Sequence, residues 1–176
     1  MKATAKTPRA AIIGITVTCV FGILLSIYAY HVEASIHSDP SFRALCDISE
    51  KMSCSKVFNS RYGTGFGLLE HIVGKDSILN QPNSVFGVIF YVVMAALATN
   101  MSYSLVVLQL ITAIAGGLGS VYLAYILVFI LGDFCVVCVS TYTLNFILIV
   151  CSLKKYNAVR NIAAVKKEKN NKKKAS

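Results

Sequence analysis

The chain has 176 residues, of which 56% are hydrophobic and 14% charged, with a formal net charge of +9. Soluble domains carry about 25% charged residues, so this composition excludes a disordered chain and argues against an ordinary soluble domain. In a soluble protein, +9 would suggest nucleic acid; in an apolar chain the charge has first to be located.

No charged residue occurs in 10–31, 81–132 or 134–153. A bilayer core about 30 Å thick takes roughly 20 apolar helical residues. The middle run is 52 residues long and must hold two spans, divided at the polar cluster 99–104. The pattern predicts four transmembrane helices, at about 10–30, 83–99, 105–130 and 134–153. The first has a basic start like a signal peptide, but it is long for one and no A-x-A site follows. It reads as a retained anchor. Tyr28 and Tyr30, near its outer end, suit an interfacial aromatic belt.

A loop at about 32–82 follows. It holds Cys46 and Cys54, separated by seven residues. Three readings stand: a static disulfide, a shuttle pair passing electrons onward by thiol–disulfide exchange, or half of a zinc site. Seven residues is wide for a zinc knuckle, and no metal is expected. Residues 65–74 carry Phe66, Leu68, Leu69, Ile72 and Val73 at helical spacing, a short amphipathic piece suited to the membrane interface. His31, His37 and His71 show no ligand spacing.

The second helix is preceded by Asn80-Gln81-Pro82-Asn83-Ser84. Pro82 suits a first helical turn, and Asn83 is then a polar group at membrane depth, either a cap or a functional side chain. In the third helix, Ala113 with Gly117 and Gly116 with Ser120 form small-x-x-x-small pairs for close packing.

Cys135-Val136-Val137-Cys138 opens the fourth helix just after Asp133, a candidate N-cap. Free N–H groups and the positive dipole end at a helix start stabilise a thiolate, the reactive form; a purely structural disulfide is the other reading of the pair. Cys135, Cys138 and Tyr142 share one helical face, so the phenol lies a turn below the thiols. Two readings stand for it: a hydrogen bond to an oxygen of a quinone-like substrate, or a bond across to another helix. Cys19 and Cys151 read as packing residues.

Three basic residues precede residue 10, and nine basic residues against one acid follow residue 153; the loop and Asp133 are slightly acidic. The excess therefore lies in two tails, 1–9 and 154–176. Four spans put both tails on one side, and the positive-inside rule makes it the cytosol. The loop and the four cysteines 46, 54, 135 and 138 face the opposite compartment, where disulfides persist. Nucleic acid is not an expected partner. Lys173-Lys174-Ala175-Ser176 fits a cytosolic dilysine retrieval signal of the endoplasmic reticulum. The sequon Asn100-Met101-Ser102 falls on the cytosolic side and is expected to be unglycosylated.

Ala44-Leu45-Cys46-Asp47, Cys54-Ser55, Gly65-Phe66-Gly67-Leu68, Leu79-Asn80-Gln81-Pro82-Asn83-Ser84-Val85-Phe86-Gly87, Gly119-Ser120-Val121-Tyr122-Leu123-Ala124 and Phe134-Cys135-Val136-Val137-Cys138 resemble the vertebrate vitamin K epoxide reductases in order and spacing. The likeness covers roughly 15–150. Residues 23–33 look most like the subunit-1-like branch, and 76–79 more like the subunit 1 branch.

The resemblance implies an all-α, four-helix integral membrane bundle with a luminal cap loop between helices 1 and 2. It implies an endoplasmic-reticulum enzyme that reduces vitamin K 2,3-epoxide to the quinone and the quinone to the hydroquinone, in support of glutamate γ-carboxylation. Cys138 would react with substrate; Cys135 would resolve it and exchange with Cys54. Cys46 would pair with Cys54 and take electrons from luminal thioredoxin-like proteins. Asn83 and Tyr142 would hydrogen-bond substrate, between walls that include Phe58 and Phe86. No permanently bound cofactor is implied, and 4-hydroxycoumarins would compete for the pocket. The chain departs from the family at Tyr62 and Thr64, where Trp and Arg are usual, and it has no Trp at all. That bears on loop anchoring and inhibitor sensitivity.

Two other functions use some of the same features. A quinone-dependent oxidase would run the four cysteines in the opposite direction. A structural four-span protein of the claudin type would have a paired-cysteine loop, but needs no C-x-x-C and carries a Trp-rich motif missing here.

Overall fold

The computed structural model describes residues 8–39, 42–49, 52–74, 77–78 and 80–175. Outside them lie Lys2 and Lys6 of the first basic tail, Asp76 and Leu79 of the loop, and Ser176, on which the dilysine pattern closes.

The described residues form helices and two isolated bridges, Ser49 with Met52 and Thr64 with Pro82. The helices are α1 (Arg9–Ser38), α2 (Cys54–Phe58), α3 (Leu69–Val73), α4 (Asn83–Ala98), α5 (Tyr103–Tyr125) and α6 (Val136–Ala175), with a 3-10 turn at Gly65–Gly67. A π-helical stretch, Ile126–Leu131, prolongs α5 until Gly132, whose φ of 63° ends it in a left-handed turn.

Three helices are long and apolar enough to cross a membrane: Arg9–Ser38, Tyr103–Leu131 and the first part of α6. The fourth apolar helix, α4, has 16 residues. Large apolar side chains such as Phe21, Leu118 and Phe146 are more than half exposed. Such a surface needs lipid rather than water around it, and the chain is a membrane protein.

Two boundaries differ from the hydropathy reading. α1 runs eight residues beyond 30 and stops where Asp39 turns extended before Pro40, which disfavours helix at the residue before it. α6 continues unbroken through the basic tail, as Lys and Ala there are good helix formers.

α1 packs on α4 and α6, and α5 packs on α6. Two apolar cores result. One gathers Val32, Val57, Leu127 and Val137 around Cys54 and Cys135. The other holds Ile15, Cys19, Tyr91, Met94, Ala113 and Leu148. Cys19 is buried there, and the Cys151 thiol packs against Gly14, in keeping with packing roles. Gly116 lies under the Phe90 ring and Gly117 under Ile149, the close approach their small size permits.

Candidate functional site

Cys135 immediately precedes the first residue of α6, so it, not Asp133, takes the N-cap position. The Cys138 backbone N–H donates to Cys135 Sγ at 3.3 Å, and the Val139 N–H donates to the Cys135 carbonyl. The thiol thus fills the acceptor role that a Ser or Asp oxygen usually plays at a helix start.

Cys46 and Cys54 are joined in a disulfide, so neither is a free zinc ligand. Cys54 opens α2, and Ser53 caps that helix by accepting from the Lys56 N–H. Cys54 and Cys135 are both fully buried, with their sulfurs 3.5 Å apart.

Asp47 holds this loop closed. One carboxylate oxygen accepts from Ser53 Oγ and the Ser55 N–H, and the other from the Ala44 N–H and Ser55 Oγ. It therefore ties the residue after Cys46 to both neighbours of Cys54. Burial pushes the Asp47 carboxyl up, but the bonds from Ser55, Ser53 and Ala44 outweigh it and hold the group below its ordinary 3.8. Tyr28 approaches Cys46 Sγ at 3.8 Å and so also serves this loop, while Tyr30 is half exposed.

A cavity of about 290 Å³ lies between the helices and the loop, near the lower end for small-molecule sites. Cys138, Tyr142, Asn83, Phe58 and Phe86 all line it. Cys135 is not among its lining residues and is buried at the level of Cys54. The C-x-x-C thus spans two environments: Cys138 faces the cavity and Cys135 faces the loop disulfide.

Asn83 does more than line the wall. Its Oδ1 accepts from the Phe66 N–H at 2.8 Å, and its Nδ2 donates to the Tyr62 carbonyl at 2.6 Å. An amide nitrogen has two N–H groups, and Asn83 lines the cavity. Phe66 has φ 57°, a left-handed conformation unusual outside glycine, and it is flanked by Gly65 and Gly67 at φ 55° and 68°. The Asn83 bond, stacking on Phe86 at 5.3 Å and a bond from Tyr122 to the Phe66 carbonyl hold it there.

Two polar groups in the cavity are not evident from composition or motif. Tyr91 donates to Asn145, which donates to Ser120, forming one polar wall. Glu33 lines the cavity with Ser84, whose hydroxyl donates to its Oε2 at 2.7 Å. The signal for Glu33 is helical spacing: Ser26, Ala29 and Glu33 fall on one face once α1 is carried past residue 30.

The vitamin K epoxide reductase family profile matches residues 13–153. Vitamin K epoxide reductase complex subunit 1 of Mus musculus is 47% identical over 137 residues, covering 78% of this chain and 85% of the relative. The Rattus norvegicus subunit 1 is 46% identical over the same length and coverage. A match of this extent, joined to a C-x-x-C that lies between a loop disulfide and an apolar cavity, places the chain in the vitamin K epoxide reductase family.

Proposed function

We propose that this protein reduces vitamin K 2,3-epoxide to the quinone, and the quinone to the hydroquinone, by thiol–disulfide chemistry. The observation that carries the mechanism is the 3.5 Å approach of Cys135 Sγ to Cys54 Sγ, with Cys138 on the cavity. Thiol–disulfide exchange proceeds through attack of a thiolate on a disulfide sulfur. Electrons enter at Cys46, pass through Cys54 to Cys135 and reach substrate at Cys138. Cys138 attacks the bound substrate, and Cys135 then displaces it by forming the Cys135–Cys138 disulfide.

The remaining groups orient the substrate. Tyr142 and the second N–H of Asn83 hydrogen-bond its oxygens, and Phe58 and Phe86 hold the ring system. 4-hydroxycoumarins, flat and oxygenated at similar spacing, compete for this cavity. The quinone is a substrate that comes and goes, not a resident cofactor.

The charge distribution supports the topology. Four spans, with α4 as the short second one, leave tails 1–9 and 154–176 in the cytosol and make the segment between Ser38 and α4 a luminal cap loop. The dilysine pattern keeps the protein in the endoplasmic reticulum, where thioredoxin-like proteins reduce Cys46–Cys54.

The test is turnover by the purified protein with a dithiol and vitamin K epoxide. Quinone should form, and Cys138→Ala should abolish it while Cys19→Ala leaves most of it. Activity surviving Cys138→Ala would remove the assigned mechanism.

A further inference from the structure

Glu33 is the one carboxyl among the described residues lining the cavity, and it is only 3% exposed. Its Oε2 accepts from Ser84, and its Oε1 is buried with no hydrogen-bond partner. Among the described residues, no Lys, Arg or His lines the cavity to pair with it. The other titratable groups facing the space are Cys138 and Tyr142 on α6, Tyr91 on α4 and Tyr62 in the loop. An ionised carboxylate without a cation in such surroundings is costly, and a buried unpaired polar atom calls for an explanation. Acidic residues inside membrane proteins are rare and mark proton or substrate pathways. The chain keeps one here, in the space that holds the reacting thiol.

We propose that Glu33 is the proton donor for epoxide opening, a residue that works on the substrate's oxygen while Cys138 works on its carbon. This inference rests on the epoxide-reductase reading of the same cavity. The Cys138 sulfur bonds to a ring carbon, and the C–O bond breaks with its electron pair on oxygen. Glu33 gives that oxygen a proton from Oε1 and takes back the one the Cys138 thiol releases, so the acid leaves the step as it entered. Cys135 then attacks Cys138 Sγ. The S–S bond forms, the C–S pair returns to the ring as the C=C bond, and the hydroxyl leaves as water with the Cys135 proton. Two thiols lose two electrons and two protons, and the epoxide gains both. Ser84 positions the carboxyl through its bond to Oε2, which leaves Oε1 as the working atom.

The experiment is dithiol-driven epoxide reduction by purified full-length protein. Glu33→Gln keeps the shape and an acceptor for Ser84 but has no acidic proton. The expected result is a fall in kcat on the order of 10²-fold, the usual scale of general acid catalysis, with KM within about twofold. Glu33→Ala should lose at least as much and regain part of it with added formic acid, a rescue that a packing role would not give. Wild-type kcat in Glu33→Gln would overturn the proposal. So would a loss in Glu33→Ala that neither formic acid nor Glu33→Asp restores in any part. If the wild-type protein itself forms no quinone, the failure belongs to the proposed function and not to the carboxyl.

Discussion

Cys135 Sγ and Cys54 Sγ lie 3.5 Å apart although they are 81 positions apart in the chain. A disulfide needs about 2.05 Å, so a movement of roughly 1.5 Å converts this contact into a bond. The loop disulfide partner of Cys54 is Cys46. Removing Cys46 should therefore leave Cys54 to pair with Cys135. Oxidised Cys46→Ser protein, thiol-blocked and peptide-mapped, should show the Cys54–Cys135 link. Finding Cys54 free or bonded elsewhere would break the proposed electron path.

The same path separates two classes of reductant. On the proposed path, a small dithiol enters through the cavity at Cys138, whereas a protein donor enters through Cys46. Cys46→Ala should keep most small-dithiol turnover and lose most protein-driven turnover. Equal loss with both would count against the shuttle role.

Asn83 and Tyr142 line the same cavity but should fail in different ways. Asn83 also clamps the loop at Tyr62 and Phe66, so Asn83→Ala frees two backbone groups as well as removing the proposed substrate contact. Its cost is on the order of 1–3 kcal/mol per buried group left unpaired, and 62–67 should become open to protease. Tyr142→Phe leaves that clamp intact and should slow turnover without loosening the loop. Equal protease resistance in wild type and Asn83→Ala would show that the clamp is unimportant in solution.

What the sequence makes legible here follows from chain-local geometry. The C-x-x-C, its helix start and the shared face of Cys138 and Tyr142 need only helical spacing. Contacts between distant segments do not register in periodicity. Asn83 reads as a cap or a substrate ligand, yet its amide chiefly grips residues 17 and 21 positions earlier. Cys46 and Cys54 permit three readings until their sulfurs are located. Glu33 falls in the loop if its charge is taken to end the first span, and in the cavity once α1 continues to Ser38.

Asp47 makes the loop sensitive to acid. Its folded carboxyl lies below the ordinary 3.8, so the folded loop favours the ionised form. The stabilisation is complete above the unfolded value and is lost as pH falls through the folded one. Hydrogen exchange at 44–49 and 52–55 should therefore be slow near neutral pH and rise below about pH 4. Asp47→Asn should exchange faster at neutral pH and lose most of that acid dependence. An unchanged acid profile in Asp47→Asn would assign the effect to another group.

Lys155 tests whether the second core is independent of the cavity. Its side chain is fully buried, and its Nζ donates to the Leu97 carbonyl and to Gln109 Oε1, each at 2.8 Å. It thereby satisfies an acceptor in the last turn of α4, where carbonyls lack helical partners, and links α4, α5 and α6. Lys155→Met should strand both acceptors at about 1–3 kcal/mol each, lowering Tm by several degrees while KM stays unchanged, because Lys155 does not line the cavity. Combining it with Gln109→Leu removes one stranded acceptor by making that pair apolar, which is often near neutral, so the double variant should regain part of the lost Tm. A double variant less stable than Lys155→Met would show that Gln109 holds α4 chiefly through its own bond to the Met94 carbonyl.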